Sequence, residues 1–426
     1  MPDDFISQYL AYTQDTEAPA IYHRWSILAA MSAYMGRTYY VKHGHFNIYP
    51  NLYVILLGGA GTRKNTAINL AKKTLRSAGY RTIAPTKTTK EKFFIDLSEQ
   101  GSPGSEGVVE DILEQNLFGG GSGSNGIDHN SSICHEIFIA SGEFNTFFGN
   151  NILDFLTDLG EMWDFEGAFE SKIKNGKSIV VYNPTISILG GNTPTLFSST
   201  FPPEIIGQGF FSRTLLIYGE RTREKITFPQ EPAPEATAAI VESLQRFRAF
   251  SQTQVSCSKS AQALINKIYH APDSLTDPRF ESFYNRRLTI LFKLCTIVAV
   301  SYGRNVIGES DVLYANTMLS HAEHLMPKAL GEFGRAKNSD VSHKVIQIIY
   351  GSDGIVSLKE IWKQVHTDLE KYSDLAPILQ NLVQADKIQP APEGRGFLPK
   401  RVVLNHDTSD LVDYNLLTAE ERKMSK

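Results

Sequence analysis

Cysteine is scarce: this 426-residue chain has three, Cys134, Cys257 and Cys295, each isolated. An odd, scattered set supplies no disulfide framework, and no Cys-x-x-Cys spacing points to zinc. The expectation is a reducing, intracellular setting with a cytoplasmic location. Long hydrophobic runs are also lacking. The longest, Leu288 to Val300, spans 13 residues and carries Lys293 inside it, short of the ~20 that a membrane-spanning helix needs. No membrane partner is expected. The opening Met1-Pro-Asp-Asp-Phe5 is acidic and has no charged-then-apolar layout of a signal peptide. Neither sign of charge dominates: 42 Lys and Arg against 46 Asp and Glu leave −4. That excludes a globally basic nucleic-acid coat, but not a local basic patch. With 42% hydrophobic and 21% charged residues, a disordered chain is excluded as well. The length predicts roughly two to four domains.

The pattern of what is present predicts an α/β protein. Residues 4–35 carry two helical stripes, Phe5, Tyr9, Leu10 and Tyr12, then Trp25, Leu28, Ala29 and Met31, separated by Pro19. Short strands are expected at 39–41 and 45–49, and a strand buried on both faces at Asn51 to Leu57. A helix follows over 65–78. Residues 101–132 are rich in Gly and Ser and read as a long loop. Strand signals resume at 136–140, 178–182, 185–189 and 214–218, and strands alternating with helices imply a layered sheet. Residues 229–236 read as a linker and 237–330 as helical throughout. Three helices (341–350, from 358, and 375–385) and a hairpin of 388–389 with 401–404 then make a winged helix, followed by a polar, frayed tail over 406–426. His43 and His45 stand two apart on a strand, but no nearby Cys or His supports a metal site there.

Four segments carry chemistry. Gly58, Gly59, Ala60, Gly61, Thr62, Arg63, Lys64, Asn65 and Thr66 lie between a strand and a helix. Such a loop turns backbone N–H groups onto phosphate, the helix N-terminus favours anions, and the lysine reaches the β- and γ-oxygens. Against the pattern G-x-x-x-x-G-K-[ST], Arg63 replaces the last glycine and Asn65 the metal-binding hydroxyl. Asn65 can still hold magnesium through its carbonyl or a water. Next, the strand Ile137 to Ala140 ends in Ser-Gly-Glu143. A strand-end acid fits a general base that also faces the metal, with Gly142 standing where an aspartate would accompany it. Third, Asn192 ends the strand 185–189 and its glycines, placed to position an attacking water. Fourth, Ser212-Arg213 precedes another buried strand, and an arginine there can neutralise charge developing in phosphoryl transfer.

The order of these four segments resembles that of AAA+ ATPases, and most of all the minichromosome-maintenance helicases. Their final motif is also a Ser-Arg, and their water-positioning Asn is also followed by proline. Pro50-Asn-Leu-Tyr53 through Arg63-Lys64 is similar to phage and prophage replication ATPases. The resemblance implies a P-loop ATPase core with an α-helical lid, N-terminal helices and a C-terminal winged helix. The boundaries would be 1–49 for an N-terminal collar, 50–230 for the core, 231–335 for the lid, 340–405 for the winged helix and 406–426 for the tail. It implies ATP and Mg2+ as cofactors, Arg213 acting on a neighbouring subunit, and Arg286 or Arg287 as a second sensor of the γ-phosphate at the start of the lid helix.

Ser171 to Tyr182 reads as a β-hairpin with Asn175-Gly176 favouring a type I′ turn and with Lys172, Lys174 and Lys177 near the tip. These lysines suit phosphate contacts that carry no base information. Minichromosome-maintenance-like proteins place such a hairpin in a ring channel. Lys359, Lys363, Lys400 and Arg401 of the winged helix offer a second contact with nucleic acid or a protein. The expected protein is a hexameric DNA helicase or translocase acting on single-stranded or forked DNA in phage-type replication, with a separate primase or other replication proteins as partners. The rivals are an AAA+ ATPase that separates no strands, such as a helicase loader or a transposition or defence ATPase, and a nucleotide-gated DNA-binding scaffold with weak turnover.

Overall fold

The computed structural model describes residues 4–99, 134–148, 152–172, 178–201, 205, 209–221, 225–249, 251–271, 277–330, 339–352, 354–369, 371–384, 387–391, 396–399 and 410–424. The chain divides into two compact units, Met1–Gly331 with Thr408–Lys426, and Glu332–Asp407.

The first unit opens with α1 (Phe5–Tyr12), whose N-cap Asp4 accepts the Ser7 N–H at 2.5 Å. Pro19 then starts α2 (Ala20–Met35), buried from Ile21 to Met35. A helix buried all round belongs to a core, and no single apolar stripe is needed. β1 (Tyr39–His43) and β2 (Phe46–Ile48) pair antiparallel. The fully buried β3 (Tyr53–Leu57) runs through a glycine-rich loop into α3 (Lys64–Ser77). After α4 (Lys90–Glu99) come β4 (Glu136–Ser141), the single turn α5 (Phe144–Phe147) and α6 (Ile152–Glu161). The hairpin β5 (Ala168–Lys172) and β6 (Ser178–Tyr182) precedes β7 (Thr185–Asn192), α7 (Pro194–Thr200) and β8 (Thr214–Tyr218).

Four of these strands form one parallel sheet in the order β4-β7-β3-β8. Ile83 adds a parallel bridge to Phe138 on the outer side of β4. β7 thus lies between the strand before the glycine loop and the strand that ends near Glu143. All residues of β3, β4 and β7 are buried, as expected for strands covered on both faces. Parallel order gathers every carboxyl end on one edge, where α/β proteins hold ligands.

Helices α8 (Pro234–Gln245), α9 (Lys259–Tyr269), α10 (Arg287–Ser301) and α11 (Glu309–Leu330) complete the helical shell. The segments expected as collar, core and lid lie within the first unit up to Gly331. α2 packs on α3, β3 and β7, and α11 packs along β8, all inside one unit. Lys293, wholly buried on α10, bonds Tyr49 O, Asn51 Oδ1 and Asp164 Oδ1 at 2.7–2.8 Å. A buried ammonium tied to three oxygens fastens that helix to the segments before β3 and β5.

The second unit holds α12 (Ser339–Tyr350), α13 (Leu358–Val365), α14 (Leu375–Gln384) and the antiparallel pair β9 (Ile388–Pro390) and β10 (Phe397–Pro399). Val356 bridges Phe397. Val345, Ile349, Ile361, Val365 and Ile378 fill its core, and Ser357 with Glu360 forms the capping box that starts α13. The second hairpin strand is Phe397–Pro399, four residues earlier than the expected 401–404, which lies outside the described residues. Lys400 and Arg401 lie outside them too.

The expected frayed tail is corrected by the structure over 410–424. α15 (Ala419–Met424) docks in the first unit, and Glu421 is fully buried. Arg24 on α2 holds both Glu421 oxygens, at 2.6 and 2.7 Å, and donates to Tyr314 Oη at 2.7 Å. Thr418 caps the helix onto the same carboxylate, while Asn316 donates to Leu411 O at 2.7 Å. Local composition is polar here. The segment orders because one buried acid finds a buried base 397 residues away in sequence. No helix among the described residues is long and apolar enough to cross a membrane.

Candidate functional site

The site grows from the carboxyl ends of β3, β4 and β7. Leu57, the last residue of β3, pairs with Asn192, the last of β7, and Ser141 of β4 pairs with Gly190. The register alone therefore sets the glycine loop, Asn192 and the residues after Ser141 side by side. Gly190 and Gly191 permit this: a Cβ on Gly190 would meet Phe144 at 2.7 Å, and one on Gly191 would meet Gly142 O at 2.7 Å.

Lys64 opens α3, and its side chain is folded into the loop before it. Nζ donates to Gly58 O at 2.8 Å, Gly59 O at 3.0 Å and Thr62 Oγ1 at 3.0 Å. Burial pushes this ammonium below its ordinary pKa, and the nearby Glu143 carboxylate partly offsets that. The three acceptors are neutral, so none of them cancels the ammonium charge at the helix N-terminus. Arg63, at the place of the pattern's last glycine, has φ 61° and ψ 24°, the left-handed region. That explains why glycine is the usual residue there. Here the Arg63 guanidinium is tied to Glu17 by bonds of 2.9 and 2.6 Å. Gly58 is required for another reason. A Cβ would stand 2.1 Å from Tyr22 Oη, which bonds Leu57 O at 2.8 Å and Gly219 O at 2.9 Å and so props the loop against the end of β8.

Glu143 is exposed at the start of α5. Asn192 is buried, donating to Asn145 Oδ1 at 2.5 Å and accepting the Thr193 N–H at 2.9 Å. Asn145 in turn donates to Leu196 O at 3.1 Å and to Thr200 Oγ1. Asn145 is thus the link between the turn carrying Glu143 and the end of β7. Its two-residue spacing from Glu143 is the only sequence signal it left. Tyr22 and Glu17 left none, since both reach the loop from elements far away in the chain.

The other candidates sit elsewhere. Arg213 precedes Thr214, which pairs with Tyr53 at the amino end of β3. It therefore lies at the opposite edge of the sheet from Gly58, roughly 15 Å away along the strands. Its Nη1 donates to Gly209 O at 2.7 Å, and its guanidinium lies 5.8 Å from the Trp163 ring centre. Burial, and then the positive charge of Arg286, both disfavour its cationic form. Arg286 is exposed, whereas Arg287 is buried and bonds Glu323 at 2.7 Å, Asn316 at 2.8 Å and Ser320 at 3.1 Å. Of the two sensor candidates, Arg287 is consumed by the helical shell, and Arg286 is the one beside Arg213. The hairpin of β5 and β6 is present and joins β7 at its amino end. Lys172 ends β5 opposite Ser178. Lys174, Lys177 and the Asn175-Gly176 turn lie outside the described residues.

No protein-family model matches the chain, and no curated protein matches it. Function must therefore be read from the site itself. Among the described residues, no group of three or more His, Cys, Asp or Glu could hold a metal ion. A magnesium ion carried by nucleotide asks less of the protein, because phosphates and water supply most of its ligands. Asn65 and Glu143 fit that smaller demand. They sit at the start of α3 and just after β4, facing the same edge as Lys64.

Proposed function

We propose that this chain is a ring-forming ATPase of the AAA+ type that moves along DNA, acting as a replicative helicase or translocase of the phage type. The observation that carries the reading is the division of the site between the two edges of the sheet. Lys64, Asn65, Glu143 and Asn192 share the carboxyl edge, while Arg213 and Arg286 share the amino edge. Within one subunit the arginines cannot reach a phosphate held by Lys64. In a ring, one subunit's amino edge faces the next subunit's nucleotide, and each site is completed across the interface.

In this scheme Gly58 to Thr66 cradle the phosphates of ATP, with Lys64 on the β- and γ-oxygens. Mg2+, held by Asn65 and Glu143, would supply charge neutralisation at the phosphates. Glu143 takes the proton of the attacking water, Asn192 fixes that water's direction, and Arg213 of the neighbouring subunit stabilises the charge that develops. The Lys172, Lys174 and Lys177 hairpin leaves the amino edge and contacts the DNA backbone in the channel. A ring concentrates several copies of that tip in one place, so the whole chain can stay slightly acidic. The second unit, with three helices and a hairpin, serves as a winged helix. The described outward residues of α14, Ala376, Pro377, Gln380 and Asn381, are neutral, which favours protein docking over DNA reading by that helix. The setting is the cytoplasm, the host's if the chain is phage-encoded, alongside a separate primase.

A second reading, a nucleotide-gated DNA-binding scaffold with weak turnover, draws on one observation: Gly142 brings no carboxylate to the metal side. Unwinding of forked DNA decides between them. The helicase displaces a strand with ATP, and Lys64→Ala abolishes this. Lys174→Ala with Lys177→Ala lowers DNA affinity and flattens its salt dependence. ATP turnover without strand displacement would leave only a loader or a related non-unwinding ATPase, and neither activity would leave the scaffold.

A further inference from the structure

Two departures from the usual nucleotide-site pattern, Asn65 and Gly142, touch each other. A Cβ built on Gly142 would meet Asn65 Oδ1 at 2.4 Å, its Cγ at 2.7 Å and its Nδ2 at 3.0 Å, and no other residue comes as near. The backbone at 142 also runs close to β7. Its carbonyl already lies 2.7 Å from where a Cβ on Gly191 would be, in the tightly packed seam between β4 and β7. The Asn65 carboxamide therefore fills the space into which an aspartate at 142 would send its side chain. A Ser or Thr at 65 is shorter and would leave that space open. The usual pattern offers two oxygens here, a hydroxyl at 65 and a carboxylate at 142. In this chain a single carboxamide oxygen, Asn65 Oδ1, lies where the second would start.

We infer that Asn65 and Gly142 are one exchanged pair, in which the Asn65 carboxamide oxygen stands in for the missing strand-end carboxylate as the metal-side ligand of the nucleotide site. This rests on the nucleotide reading above. The exchange keeps an oxygen in place but deletes a negative charge. Mg2+ binds hard, anionic oxygens best. A neutral amide therefore contributes less, and nucleotide binding depends weakly on the divalent ion. Glu143, one residue further on and exposed, is left as the only acid of the pair.

Binding of a fluorescent ATP analogue, with excess Mg2+ and with EDTA, tests the assignment. Wild type should lose less than about threefold in affinity on removal of Mg2+, whereas Asn65→Asp, identical in shape, should lose about tenfold or more. A second, ligand-free readout tests the exchange itself. Gly142→Asp alone should lower the melting temperature by several degrees, and Asn65→Thr with Gly142→Asp should recover most of the loss. Equal Mg2+ dependence in wild type and Asn65→Asp overturns the ligand role. A Gly142→Asp chain as stable as wild type overturns the shared space. Failure of the analogue to bind wild type, or equal binding to wild type and Lys64→Ala, overturns the nucleotide reading, a result distinct from both.

Discussion

Two populations of buried or half-buried cations occupy different regions of the first unit. In the helical shell, Arg24, Arg287 and Lys293 each hold a carboxylate, Glu421, Glu323 and Asp164, at 2.6–2.7 Å. At the two edges of the sheet, Lys64 and Arg213 make no ion pair among the described residues and lean on carbonyl and hydroxyl oxygens. Burial disfavours the charged form of both Lys64 and Lys293. What separates them is the partner. A buried charge matched by an acid is spent on holding helices together, and removing either member leaves the other stranded. A cation held only by neutral oxygens keeps most of its field for something else. The contrast sets Lys64 and Arg213 apart as cations without an ion-pair partner among the described residues.

The largest expected effect tests the unmatched set. Arg213→Ala should cut ATP turnover about 10³-fold, the scale of an arginine supplied to another subunit's phosphate. Mixing it with Lys64→Ala subunits, themselves inactive, should restore up to about a quarter of wild-type turnover, because a random ring pairs one intact edge with the other at that frequency. No recovery on mixing would place both residues in one subunit's site and erase the distinction between the edges. Next is the matched set. Glu421→Ala strands Arg24 inside the unit and should cost about 4 kcal/mol, read as a fall in melting temperature. A loss below about 1 kcal/mol would mean that the pair is not structural.

His23 sharpens the rule from inside α2. It is buried, its Nε2 lies 2.6 Å from Thr16 Oγ1, and burial lowers its pKa to about 4. The folded imidazole stays neutral while the unfolded one takes up a proton below about pH 6.5, so stability falls as pH drops from 6.5 toward 4. The gap between the two values corresponds to about 3 kcal/mol. Unfolding of wild type and His23→Gln across that range should diverge by this amount, with the variant's slope flatter. The smallest effect concerns the strained residue next to Lys64. Arg63→Gly should be more stable than Arg63→Ala by about 1 kcal/mol, since both lose the Glu17 tie and only glycine relieves the positive φ. Equal stabilities would show that this loop stores no strain.

Much of the site was legible in the chain itself. A greasy strand, glycines, a lysine and a helical stripe follow one another at Leu57 to Leu75, and strand ends carrying Glu143 and Asn192 follow in the same way. The sequence left Arg286 and Arg287 as equal candidates, and only the packing of α10 against Glu323 separates them. Less was legible wherever the decisive partner is distant. Asn65 and Gly142 read as two separate losses until β4 and α3 come together. Asn145 is inconspicuous until β7 brings Asn192 beside it. The C-terminal residues look like a polar tail because nothing in 410–424 announces Arg24, almost the whole length of the chain away.

Periodicity and strand-to-helix turns are local properties, so the order of elements and the residues that stand at the strand ends could be read along the chain. The tertiary structure alone decided which cations are matched, which edge each arginine occupies, and that Asn65 fills the room left by Gly142. Those outcomes depend on strand order and on contacts between residues far apart in sequence, and burial makes the absence or presence of a single partner worth several times the local propensities.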